Sequence, residues 1–182
     1  MMIKLEYFTN QDFDLLINWI NEDDLLREWA STQFQLPLTT EILEWYIMNA
    51  NSEHAKALIF KTVNSKTGET IGHISLNGID KKNRCARISK FLIGCASYRG
   101  MGFGAQIIDQ ILSIGFSDLN LHRISLGVYD FNKNAIKCYE KCGFHTDGLL
   151  REITRYQDTY WSLVEMSILE HEWRELKRLK KT

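Results

Sequence analysis

Phe91-Leu92-Ile93-Gly94, then Arg99-Gly100-Met101-Gly102-Phe103-Gly104, then Ile107, Ile108, Ile111, Leu112 and Phe116 decide how this chain folds. The first run reads as the end of a strand and the second as a glycine-punctuated loop. The third recurs at helical spacing, the mark of one buried helix face. A second strand follows, in which Ile124, Leu126 and Val128 alternate with Ser125, Gly127 and Tyr129. The result is a βαβ unit whose most flexible backbone lies where a strand hands over to a helix N-terminus. Such a junction offers unpaired N–H groups and the positive end of a helix dipole, a ready seat for phosphate.

Working outward, Ile3–Phe8 alternates as a first strand, and Thr9 or Asn10 can cap a helix that carries Phe13, Leu16, Ile17 and Ile20 on one face. Asn21–Ala30 is acidic and then aromatic, with Glu22, Asp23, Asp24, Glu28 and Trp29. It reads either as a short solvated helix or as a wall that attracts a cationic amine. After the only proline, Pro37, another helix presents Ile42, Leu43, Tyr46 and Ile47. Two strands, Ala57–Val63 and Glu69–Leu76, are joined by Asn64-Ser65-Lys66-Thr67-Gly68, a hairpin turn whose glycine can take positive φ. A polar turn near Asn77-Gly78 leads into the strand Cys85–Gly94. After Phe144, Gly148–Tyr156 and Tyr160–Leu169 form a last hairpin around Gln157-Asp158. The order is strand, two or three helices, three antiparallel strands, helix, strand, helix, two strands, with no repeat or linker, so residues 1–182 read as a single domain.

The totals narrow the function classes. An apolar fraction of 45%, a charged fraction of 25% and a net charge of -1 describe an ordinary globular protein with no global basic field for nucleic acid. The basic C-terminal run from Arg174 to Lys181 reads as a solvated, fraying helix end. No membrane-length apolar run and no export signal occur, and the four cysteines form no CxxC pair, so reduced thiols and a cytoplasmic location are expected. Cys138, Cys142 and His145 could suggest zinc, but no fourth ligand is apparent, and no metal is expected.

Three glycine-loop chemistries compete for the phosphate seat. A nucleotide P-loop needs a lysine after its last glycine, which is absent here. A dinucleotide fingerprint needs GxGxxG, whereas Gly100, Gly102 and Gly104 are spaced by two. Arg99-x-x-Gly102-x-Gly104 instead resembles the Arg/Gln-x-x-Gly-x-Gly/Ala loop of the GNAT superfamily of acyl-CoA N-acetyltransferases. Asn132-Lys133-Asn134-Ala135-Ile136-Lys137-Cys138-Tyr139-Glu140-Lys141-Cys142-Gly143-Phe144 resembles a second segment of that family, N-x-x-A-x-x-x-Y-x-K-x-G-F, just after the second parallel strand. The tail, with Gly148-Leu149-Leu150-Arg151-Glu152 and Tyr160-Trp161, is similar to the closing hairpin of its ribosomal-protein and polyamine branches.

The resemblance implies an α/β (α+β) fold: a mixed, centrally splayed sheet of about seven strands flanked by helices. It implies acetyl-CoA as donor and an amine as acceptor: a protein N-terminus, a polyamine, an aminoglycoside or another small amine. Arg99, Gly100, Met101, Gly102, Phe103 and Gly104 would hold the pyrophosphate through backbone N–H groups. Leu92, Ile93 and Gly94 would hydrogen-bond the pantetheine as an extra strand, with one N–H near Leu92 facing the thioester carbonyl. The parallel strands would part beyond Gly94 and Tyr129 to admit the cofactor, and Asn132 and Asn134 would touch its arm. Tyr139 would give a proton to the departing sulfur, although its helical spacing with Ala135 and Cys142 fits a core aromatic too. The strand before the loop, Arg87-Ile88-Ser89-Lys90-Phe91, lacks the glutamate many members carry, which leaves the base among a water chain, a backbone carbonyl, His73, Asp80 and Glu28. That gap also keeps open a non-catalytic acyl-CoA sensor, and the final strand allows either a monomer or a homodimer. Neither nucleic acid nor membrane is an expected partner.

Overall fold

The computed structural model describes residues 2–179; Met1, and Lys180 and Lys181 of the basic tail, lie outside the described residues. The strands are β1 (Ile3–Tyr7), β2 (Ala57–Asn64), β3 (Thr70–Asp80), β4 (Cys85–Ile93), β5 (Arg123–Tyr129), β6 (His145–Tyr156) and β7 (Thr159–Leu169). They form one 7-stranded sheet in the order β1-β2-β3-β4-β5-β7-β6, antiparallel except where β4 meets β5. The helices are α1 (Phe13–Trp19), α2 (Asp23–Ala30), α3 (Thr40–Ile47), α4 (Phe103–Ser113), α5 (Lys133–Lys141) and α6 (Glu170–Leu179).

Period-2 strands with apolar side chains on both faces need covering on both faces. Helices α1 to α3 cover one face through Leu16, Leu26, Trp29 and Leu43, packed around Ile59 and Leu92. Helix α4 covers the other with Ile107, Ile108 and Ile111, all fully buried, each contributing about 1.5–3 kcal/mol by leaving water. The α4 spiral then widens into a π turn, Ile114–Asp118, that still buries Phe116. Helix α6 is more than a solvated end: Trp173 is buried 5.4 Å from the Phe116 ring, and Lys177 pairs with Asp109.

Three boundaries differ from the sequence expectation. β3 runs through Asn77-Gly78 to Asp80, so the turn falls later, where Asp80 accepts the N–H groups of Lys82 and Asn83 at 2.9 Å each. Gly78, at φ 59, marks a ladder irregularity instead of a chain reversal. β6 begins at His145, before Gly148, because His145 and Thr146 already pair with Ser167 and Met166. The third correction is at the centre: β4 and β5 share only the pairs Cys85↔Arg123, Ala86↔Ile124 and Arg87↔Ser125. They part well before Gly94 and Tyr129.

The early parting has a local cause. Opposite β3, Ser89 pairs with Ser75 and Leu92 with His73, so Lys90 and Phe91 together oppose Ile74. This is a β-bulge, which bends and twists its strand. Lys90 sits at φ 51, an uncommon conformation for a residue with a side chain. The extra residue also reverses the alternation: Ala86 and Ile88 face the α4 core, Leu92 faces the α1–α3 core, and Phe91 and Ile93 turn back toward α4.

Candidate active site

A cleft of about 910 Å³ opens where β4 and β5 part. One side is built from the loop before α4, the end of β4 and the first turns of α5. Gly100 and Gly102 have φ 75 and 82, and Gly102 is the left-handed N-cap of α4. A Cβ on either would meet open space, so glycine is required there by backbone conformation alone. Arg99 latches the loop to the strand: Nε donates to the Ile93 carbonyl at 2.9 Å and Nη2 to that of Gly94 at 3.3 Å. A Cβ on Gly104 would stand 3.4 Å from Cys138 Sγ, so the loop's last glycine lets α4 approach α5.

Of the residues singled out in the sequence, Leu92, Ile93, Arg99, Gly100, Gly102, Gly104, Asn132, Asn134 and Tyr139 all line this cleft. Met101, Phe103 and Gly94 do not. Met101 points to solvent, and Phe103 is buried edge-on to Tyr98 at 5.4 Å. Gly94 lies under the Trp19 ring, and its N–H donates to the Ile71 carbonyl at 3.0 Å. Antiparallel neighbours alternate in direction. The polar backbone of Ile93 therefore turns to the open side, where its carbonyl receives Arg99. That makes Ile93, ahead of Leu92, the strand residue whose amide faces the cleft.

Asn132 caps α5, its Oδ1 accepting the Ala135 N–H at 3.1 Å, while its Nδ2 donates to Glu28 Oε2 at 3.2 Å. One side chain thus ties α5 to α2 across the cleft. Tyr139 is 7% exposed, between Phe91 and Phe144. Among the described residues none hydrogen-bonds its hydroxyl, and burial, aided by Cys138 and Cys142, raises its pKa beyond the usual phenol value. The group keeps its proton, and the residue lines the cleft. Cys142 is buried on the same helix, and His145 faces Glu172 at 3.6 Å; among the described residues no cluster could hold a metal.

The far side of the cleft lies between α2 and the β6–β7 hairpin. Tyr156 donates to Asp24 across the mouth, and the Tyr129 hydroxyl meets Ser31 Oγ at 3.3 Å and Thr154 Oγ1 at 3.0 Å. The acidic wall of α2 is therefore divided: Asp23 stands 3.7 Å from Arg27, Asp24 meets Tyr156, and Glu28 lines the cleft. Burial is the largest cause raising the Glu28 pKa, opposed by Asn132 and aided by Asp24. The other two side chains considered as bases stand elsewhere. Asp80 closes its own turn, with its pKa lowered by the Asn83 and Lys82 hydrogen bonds. His73 is fully buried, its Nδ1 2.8 Å from the Lys90 carbonyl and its pKa lowered to about 4, first by burial.

Two features of the cleft carry no sequence signature. Lys90, at the bulge, is 7% exposed; its Nζ donates to Gln33 Oε1 and lies 5.9, 5.4 and 5.2 Å from the ring centres of Trp29, Phe34 and Tyr46. Arg87 crosses over Gly127 to Glu165 at the vertex of the splay.

Residues 3–145 match the acetyltransferase (GNAT) domain family. The chain belongs to that family. It is similar to the spermidine N(1)-acetyltransferase of Vibrio cholerae, 27% identical over 171 residues that span 94% of this chain and 95% of that one. The aminoglycoside N(6')-acetyltransferase type 1 of Klebsiella pneumoniae is 24% identical over 155 residues, 80% of this chain and 75% of the relative. The crystal structure of the Vibrio cholerae spermidine N-acetyltransferase in complex with CoA and spermine superposes with a TM-score of 0.82 at 25% identity, covering 95% and 98% of the two chains. The protein is an N-acetyltransferase that uses acetyl-CoA as donor and an amine as acceptor.

Proposed function

We propose that residues 1–182 act in the cytoplasm as one catalytic domain, monomer or homodimer, that moves the acetyl group directly to a primary amine held between α2 and the β6–β7 hairpin. The pyrophosphate rests on the backbone amides of the Arg99-to-Gly104 loop and the N-terminus of α4, with the loop shaped by Gly100 and Gly102. The pantetheine runs along Leu92 and Ile93, with Asn132 and Asn134 on its other flank, and the Ile93 amide polarises the thioester carbonyl. The amine nitrogen attacks the carbonyl carbon, the C–S bond breaks, the sulfur takes the Tyr139 proton, and the second proton shed by the new amide nitrogen restores the phenol. Glu28 receives the proton that the ammonium must lose, through an intervening water. Partial desolvation raises its pKa above the ordinary carboxylate value, which favours proton uptake.

One observation carries this reading above all: Tyr139 holds an unpartnered, protonated hydroxyl in the same cleft as the α4 loop. A phenol tightly bonded to protein would be a structural group. This one is free to meet a thiolate. The relatives point to polyamines and aminoglycosides as amines to try first, beside a protein N-terminus. Thiol release from acetyl-CoA across such a panel is the direct test. The expected result is amine-dependent release, with acetyl-CoA raising the melting temperature and NAD and ATP leaving it unchanged. Stabilisation by NAD alone would overturn the assignment of the loop.

A further inference from the structure

Lys90 and Glu28 line one cleft with opposite charges, and among the described residues neither has an oppositely charged side chain within 4.0 Å. Of the other charges nearby, Arg87 pairs with Glu165, Asp23 with Arg27 and Asp24 with Tyr156, while Lys137 and Lys141 line the cleft from the α5 side. Lys90 is buried, and an isolated charge taken out of water is costly and ordinarily paired, whereas Glu28 is open to solvent and offers the opposite charge at the edge of the cleft. Two of opposite sign in one cleft are complementary to a ligand that carries both.

The Lys90 ammonium is held in place without being neutralised. Gln33, which also lines the cleft, accepts one of its three protons, and the Trp29, Phe34 and Tyr46 rings surround it. Ring faces attract a cation but leave its charge in the field. The bulge fixes where the charge sits, because the Lys90 carbonyl receives both Trp29 Nε1 at 2.9 Å and His73 Nδ1 at 2.8 Å. Burial lowers the Lys90 pKa only to about 8, so the group is mostly charged at neutral pH.

We propose that Lys90 selects the acceptor: this acetyltransferase takes a zwitterionic amine of the amino-acid class, with its ammonium toward Glu28 and its carboxylate toward Lys90. The proposal rests on the acceptor reading above and deepens it. A polycation such as spermidine would bring a second ammonium toward a fixed, desolvated one, and like charges at short range repel strongly where water is scarce. A carboxylate instead gains a charge-assisted hydrogen bond from the protons of Nζ that Gln33 leaves free.

The test compares compounds of one skeleton that differ in the anion: lysine, lysinamide and cadaverine, and phenylalanine, phenylalaninamide and phenethylamine, with spermidine beside them. The amino acid of a set should exceed its amide in kcat/KM by about tenfold or more, as expected for a hydrogen bond to a charged group. Lys90→Met should collapse that ratio toward one. Calorimetric titration of the same compounds into the CoA-loaded wild-type protein reads the preference without turnover or a variant. If no amine releases thiol yet the amino acid binds more tightly than its amide, the catalytic reading fails and the charge assignment stands. Amides binding and reacting as well as amino acids, or spermidine preferred over both, would overturn it.

Discussion

Arg87 and Glu165 form a two-pronged ion pair across the face of Gly127, with Nη1–Oε2 at 2.6 Å and Nη2–Oε1 at 2.8 Å. Arg87 is also the last residue of β4 to pair with β5, and β7 runs on the far side of β5. The guanidinium therefore bridges from β4 to β7 over the strand between them, at the point from which the cleft opens. A Cβ on Gly127 would collide with that guanidinium and with Leu163. Glycine stands here to let an ion pair pass, and the pair in turn fixes where the splay begins.

Gly127→Ala should accordingly destabilise the protein by about 1–3 kcal/mol, the usual range for forcing an atom into a filled space. Most of the cost should come from moving Arg87. In an Arg87→Met background the same alanine should cost less, so urea unfolding of the double-mutant cycle should show clear non-additivity. Equal costs in both backgrounds would mean that Leu163 alone sets the limit.

Gly102→Val tests a different glycine constraint. The position has φ 82, which a branched residue adopts only with strain, but a Cβ there meets no protein atom. A loss of about 1–2 kcal/mol in stability is expected from the left-handed backbone. Acetyl-CoA affinity should fall as well, because the side chain would stand where the pyrophosphate is proposed to rest. Isothermal titration of the folded variant decides, and parental affinity would remove phosphate from the loop.

His73 should make stability depend on pH in a defined window. Its Nδ1 must carry the hydrogen that the Lys90 carbonyl accepts, and among the described residues buried Nε2 has no partner. The folded pKa is lowered to about 4, mainly by burial. The unfolded chain therefore binds a proton from about pH 6.5 downward while the native state refuses it. Stability is thus full above that range and declines as pH falls toward 4, by on the order of 3 kcal/mol in all. In His73→Gln the part of the pH slope between about 6.5 and 4 should disappear, as measured by urea unfolding at several pH values.

How much of this was legible in the sequence depended on the range of the forces involved. The α4 loop could be read because glycine spacing and helical period are local properties of Arg99 to Phe116, and the succession of elements along the chain followed from alternation and turns, whereas the mixed, splayed sheet came from the family resemblance. The bulge could not be read. Lysine has no preference for φ 51, and Lys90 adopts it where two partners from distant chain, Trp29 and His73, converge on its carbonyl. Arg87 and Glu165 lie 78 residues apart, and no pattern near either announces the other. Trp173 did leave a signal, an aromatic three residues before Leu176 on an otherwise charged helix, which the basic ending obscured. The parting of β4 and β5 was expected too late because it depends on the bulge.

Tyr139→Phe is the sharpest test of the chemistry, and the surroundings of the hydroxyl sharpen it further. Among the described residues nothing hydrogen-bonds that oxygen, so phenylalanine leaves no donor or acceptor unpaired and keeps the packing against Phe91 and Phe144. Stability should therefore stay within about 0.5 kcal/mol of the parent. If the phenol protonates the departing thiolate, the interaction exists mainly in the transition state, so kcat should fall while acetyl-CoA affinity stays nearly constant. General acid assistance is worth about 10²–10⁴-fold, and a water entering beside the phenylalanine would bring the loss toward the lower end. A core aromatic with no chemical role predicts unchanged turnover. Steady-state kinetics with a fixed amine, read beside a melting curve and a CoA titration, separates the two, and a folded variant at the parental rate would take Tyr139 out of the mechanism.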